Sequence, residues 1–182
     1  MQDVRSTVSK AGEGRRTADQ PMEHAMRIDY PRIAPAAMLA QLGLERYVRA
    51  SGLEESLLLL VKLRASYLNG CAYCVDMHTK DARFAGESEQ RLYAVPVWRE
   101  TPFFTPRERA ALAWTEAVTA LVGGGVSDEL FAETRAEFAE EELVQLTMAV
   151  IAINGWNRLS IAFRAPVGAH VAGSTPRPPD GA

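Results

Sequence analysis

Thiols and imidazoles are scarce in this chain, which has two cysteines and three histidines in 182 residues. Nowhere do about 18 apolar residues run uninterrupted, so no membrane-spanning helix is expected. The first 25 residues, MQDVRSTVSKAGEGRRTADQPMEHA, are polar and lack the apolar stretch of a secretion signal. No long basic run appears and the formal net charge is -3, which argues against nucleic acid or an anionic membrane surface as partner, since both select a basic face. These absences place the expected protein in the cytoplasm. In that reducing compartment a cysteine pair is more often catalytic or metal-binding than structural.

What is present is enough for one globular domain. With 47% hydrophobic and 24% charged residues, a chain of this size buries a core without a disulfide staple. The polar segment 1–26 and the Gly- and Pro-rich segment 169–182 are expected to be mobile tails. They flank a folded domain over 27–168. No alternating strand pattern of useful length occurs, and no repeat at solenoid period. The apolar periodicity instead predicts an all-α bundle of six to eight helices.

Local signals place several of these helices. One follows Pro35 through AAMLAQLGLERYVRA. The next reads SGLEESLLLLVKLRASYL, with Ser51 and Glu54 spaced as a capping box. Thr105, Pro106 and Glu108 repeat that start signal before a helix that the glycines from Gly123 end. Ser127 caps DELFAETRAEF, and the acid-first EEELVQLTMAVIAINGWNRLSIAFR makes a long buried helix. The apolar surplus of SLLLLV exceeds one helical face, which predicts burial on two sides and hence an oligomer.

Both cysteines and one histidine fall within NGCAYCVDMHTKDA. Asn69 and Gly70 break the preceding helix, so Cys71 stands at the start of a new one. At 100° per residue Cys71, Cys74 and His78 share a stripe about 60° wide. Cα atoms three apart on a helix lie about 5–5.5 Å from each other, inside the window a disulfide tolerates. So short a loop adds little stability when closed and opens easily, which suits cycling. A helix start and a neighbouring imidazole both raise the thiolate fraction, and the dipole favours Cys71 as the more acidic thiol.

LLVKLRAS followed by NGCAYCVDMHTKDA resembles the alkylhydroperoxidase D branch of the carboxymuconolactone decarboxylase family. RLYAVPVWRETPFFTPRERAALAWTEAVT and the last helix are similar to that branch too. The resemblance implies an all-α fold assembled as a homo-oligomer (dimer, trimer or hexamer). It also implies a thiol peroxidase activity that takes a hydroperoxide substrate and electrons from a thiol reductant, with no bound cofactor. By resemblance Cys74 is the peroxidatic thiol, Cys71 the resolving thiol that also shuttles a proton, and His78 the relay histidine. One position departs from the pattern: the glutamate that members commonly carry twelve residues before the first cysteine is Leu59 here. Tyr73 stands where some members have a second histidine. Glu55, one turn upstream of Leu59, reads first as a solvated glutamate serving the helix start and only second as a substitute for that carboxylate, and Leu59→Glu is expected to speed thiol oxidation.

Other readings compete. Zinc would need a fourth ligand beside Cys71, Cys74 and His78, and His24 and His170 lie in the tails, so no metal site is expected. A thioredoxin-like module requires a strand before its CxxC, and none is predicted. A decarboxylase-type lyase is the second functional class, and a degenerate oligomeric binding protein is the third. Trp98, Trp114 and Trp156 read as core or interface anchors. Asn154, Gly155 and Asn157 read first as close helix packing and second as thiol-pocket lining. Asp76 and Lys80 read as solvated.

Overall fold

The computed structural model describes residues 25–121 and 124–173, all helix, turn and loop. The outer parts of both expected tails, 1–24 and 174–182, and the helix stop expected at Gly123 lie outside the described residues. In chain order the helices are α1 (Tyr30–Ile33), α2 (Pro35–Arg49), α3 (Glu55–Asn69), α4 (Ala72–Phe84), α5 (Glu89–Ala94), a 3-10 segment (Val95–Glu100), α6 (Pro106–Ala120), α7 (Asp128–Glu137) and α8 (Glu140–Phe163). The expected all-α class therefore holds, with eight α-helices and no strand among the described residues.

Caps explain most boundaries. Thr105 and Glu108 form the expected reciprocal box: the Glu108 amide donates to the Thr105 hydroxyl and the Thr105 amide to the Glu108 carboxylate. Ser127 caps α7 through the Leu130 amide, and Glu142 accepts the Ala139 amide at the start of α8. The box expected from Ser51 and Glu54 does not form. Ser51 turns back to donate to the Val48 carbonyl at the end of α2, and Glu54 is taken by Arg107 of α6 at 3.0 Å. An ion pair between helices has displaced a local cap, and α3 begins only at Glu55. Three short elements, α1, α5 and the 3-10 segment, were not read from the sequence, although Asp29 and Ser88 cap the first two through the Arg32 and Arg91 amides.

α3 is the axis of the bundle, packed by α4, α6 and α8, with α2 laid on α8. Leu57, Leu58 and Val61 face a core with Trp114, Phe138, Leu146 and Val150. Leu60 and Leu63 face a second core with Leu92, Val95, Trp98 and Leu112. Thus the two-sided burial read from SLLLLV is real but satisfied inside one chain, so α3 supplies no argument for an oligomer. Trp98 and Trp114 are buried as expected.

The segment after α8 folds back over α4. Asp76 and Lys80, expected in solvent, pair at 2.9 Å, and Lys80 donates to the Gly168 carbonyl while Asp76 accepts the Gly168 amide. They clamp this segment in place. Asp76→Ala removes a net contribution of about 1 kcal/mol, so the Gly168 amide should exchange several-fold faster while the buried amides of α8 stay unchanged. Hydrogen exchange resolved by residue checks this.

Candidate functional site

The turn between α3 and α4 sets the site. Gly70 closes α3 in the left-handed region, at φ 67°, where a side chain would be strained. The Cys71 amide then donates to the Ser66 carbonyl, and Cys71 becomes the N-cap of α4, its sulfur accepting the Cys74 amide at 3.3 Å. Both cysteines are free thiols and fully buried. Behind them α8 presents Asn157 and Ser160, whose polar side chains act to lower the ionisation of both thiols. Asn157 is itself fixed, donating to Ser66 Oγ at 3.1 Å and accepting from Asn69 Nδ2 at 2.8 Å. Asn157 is buried behind the thiols and is not among the residues that line the cavity, while Gly155 shows the close packing expected first, since a Cβ there would stand 2.8 Å from the Gln41 side chain.

Cys74 opens onto a cavity of about 210 Å³. Tyr30, Leu42, Leu59, Tyr73, Met77 and Trp156 give its wall an apolar character, and His78, Glu45, Lys62, Arg49, Asp81 and His170 supply its charged and polar groups. Trp156 is therefore a cavity wall rather than a core anchor. A second hollow of about 450 Å³ shares Arg49, Leu59, Lys62 and Asp81 with the first and reaches Glu55 and Phe84. Glu55 is exposed and lines only this outer hollow, so the carboxylates that line the thiol cavity are instead Glu45 of α2 and Asp81 of α4. Glu45 is bound by Lys62, and the two side chains are 13% and 7% exposed.

Burial decides the charges. The Cys71 thiol is lowered to about 7, chiefly because the Cys74 thiol donates to it, with the Cys74 amide, Asn157 and Ser160 adding to this against desolvation. Cys74 is pushed up by donating that hydrogen bond, by burial and by the neighbouring thiolate. The pair thus shares one proton near neutral pH, with the charge on Cys71, as the helix-start argument predicted. His78 is buried with neither ring nitrogen hydrogen-bonded. It is lowered to about 3 by desolvation, then by the charges of Lys62, His170 and Arg49, and so is neutral.

Cys71, Cys74 and His78 are brought together as the sequence placed them. Sequence reasoning missed His170, which sits 2.7 Å from Asp81 of α4. It also missed Glu45, Lys62 and Tyr30, which reach the site from α2, α3 and α1. Among the described residues no three or more His, Cys, Asp or Glu side chains are grouped as ligands for a metal ion. No helix there is long and apolar enough to cross a membrane.

The chain has relatives. Residues 35–117 match the carboxymuconolactone decarboxylase family. The chain is 42% identical to the uncharacterized protein YdfG of Bacillus subtilis, over 76% of this chain and 95% of that one. It superposes with TM-score 0.77 and 46% identity on a protein of unknown function from Agrobacterium tumefaciens, named as a candidate antioxidant defence protein AhpD, over 80% of this chain and all of the other. The debrominase Bmp8 shares the fold alone, at TM-score 0.69 and 21% identity over 76% of this chain and 74% of its own. The chain belongs to the carboxymuconolactone decarboxylase family and has the alkylhydroperoxidase D-like fold.

Asn157→Leu keeps the branching and the heavy-atom count but leaves Ser66 and Asn69 short of a partner, costing about 1–3 kcal/mol. It also removes a donor to the thiolate, so the Cys71 ionisation should move above about 7. Denaturant unfolding and the ultraviolet absorbance of the thiolate against pH measure the two effects.

Proposed function

We propose that this protein is a thiol-dependent hydroperoxide reductase in which Cys74 and Cys71 cycle between dithiol and disulfide. The observation that carries this reading is the division of labour in the pair: Cys74 lines the cavity, while Cys71 lies behind it and carries the lowered ionisation.

In the proposed cycle the Cys71 thiolate takes the proton of Cys74 as the Cys74 sulfur attacks a hydroperoxide oxygen. The O–O bond breaks, Cys74 becomes a sulfenic acid, and the departing alkoxide takes up a proton to leave as an alcohol. Cys71 sulfur then attacks Cys74 sulfur, the S–O bond breaks, and water departs with the proton that Cys71 held. Two thiols are oxidised by two electrons and one hydroperoxide is reduced to alcohol and water. An external thiol reductant restores the pair. The short loop that the disulfide closes favours that return, because little chain entropy opposes reopening.

His78 serves this cycle as a neutral imidazole beside the cavity, its two buried ring nitrogens without a protein partner and able to pass a proton without holding the charge. Leu59 removes the relatives' carboxylate from α3 and makes that wall apolar.

Intact mass of the reduced protein during exposure to stoichiometric cumene hydroperoxide tests the reading. Wild type should lose two hydrogens within minutes, Cys71→Ser should gain one oxygen and stop there, and Cys74→Ser should stay unchanged. Wild-type mass that does not change contradicts a peroxidase, and decarboxylation of a lactone acid that survives loss of both thiols would indicate the lyase of the family name.

A further inference from the structure

The proposed cycle leaves one requirement unassigned: the negative charge that develops on the leaving alkoxide must be met from inside the cavity, since Cys71 stands behind Cys74. The groups that face this space from α2 are Glu45 and Arg49, from α3 Lys62, from α4 Tyr73, Cys74, His78 and Asp81, from α8 the Ser160 hydroxyl, from α1 Tyr30, and from the C-terminal segment His170. Asp81 and His170 are engaged with each other. Arg49 is 61% exposed along its side chain and reaches Glu45 only at 3.5 Å. Lys62 differs from both, being a cation that is 93% buried along its side chain.

A buried ammonium is costly unless something holds it. Here Glu45 does so, one of its carboxylate oxygens accepting from Lys62 Nζ. An ammonium carries three donors, so donors are left for an oxygen in the cavity. Its charge is felt at the ring of His78, which borders the same cavity as the Cys74 sulfur. The apolar wall beside it, with Leu59 one turn before Lys62, weakens competition from water and strengthens any interaction with a developing anion.

We propose that Lys62, held by Glu45, is a catalytic residue that hydrogen-bonds the departing oxygen of the hydroperoxide and stabilises the alkoxide as the O–O bond breaks. Glu45 is its positioning residue. This rests on the reductase reading above and assigns the group that the reading lacks. A cation aimed at a leaving oxygen matters most when that oxygen leaves poorly, so the signature is selectivity between substrates rather than activity alone.

The experiment is the second-order rate of disulfide formation, by intact mass after rapid quench, with tert-butyl hydroperoxide as a poor leaving group and peracetic acid as a good one. Lys62→Met should slow the reaction with tert-butyl hydroperoxide by about 10²-fold or more and that with peracetic acid by less than about tenfold, in line with the loss of one preorganised donor. Lys62→Arg keeps the charge and should retain most of the selectivity. Because Lys62→Met strands the Glu45 carboxylate, the paired variant Lys62→Met/Glu45→Met removes both charges, a change that proteins often tolerate, and it should show the same selective loss. Equal slowing with both oxidants, or none, in a variant whose helical content and thermal midpoint match wild type overturns the assignment to Lys62 while leaving the reductase reading intact. Wild type inert to both oxidants overturns both.

Discussion

The turn at Gly70 is the constraint on which the site depends. A left-handed residue there ends α3 and allows the next residue to cap α4 with sulfur instead of oxygen. That one geometry makes Cys71 accept an amide, puts Cys74 three residues on against α8, and points His78 into the same space one turn later. Ordinary N-caps stabilise a helix by satisfying an orphan amide. Here the same bond also stabilises a thiolate, so folding and reactivity draw on one interaction.

Desolvation then sorts the remaining groups. Both thiols and His78 are removed from water, and the only charge the pocket tolerates among them is the one the cap and Asn157 support, on Cys71. The Glu45–Lys62 pair is admitted because each ion neutralises the other. His170 meets Asp81 through a hydrogen bond of 2.7 Å, delivered by a segment that Asp76 and Lys80 hold down. The result is a cavity that sets an apolar wall against a group of charged and polar side chains.

Much of this was legible beforehand, and for definable reasons. The ends of α6 and α7 were readable because their caps are local, and Cys71, Cys74 and His78 were readable because helical periodicity alone puts them on one face. The Ser51 box failed because Arg107, 53 residues away from Glu54, offered the carboxylate a better partner. Glu45, Trp156, Tyr30 and His170 were hidden for the same reason: each reaches the thiols from a different element, and no sequence spacing encodes a tertiary approach. Glu55 was a reasonable local guess for the missing carboxylate, but the packing of α2 on the bundle brings in Glu45. Two-sided burial of α3 was correctly read, yet its partner is α8 and α6 of the same chain.

Family membership fixes the fold and leaves the chemistry to the site. The central claim is that Cys71 and Cys74 form one reversible two-electron couple. Equilibrating the protein in glutathione buffers of graded redox poise and counting free thiols by mass tests it most directly. The account predicts a single transition between dithiol and disulfide at a potential above about -300 mV, as expected of a bridge built to reopen. Thiols that stay reduced across the whole range, or a disulfide that no buffer reopens, would contradict it.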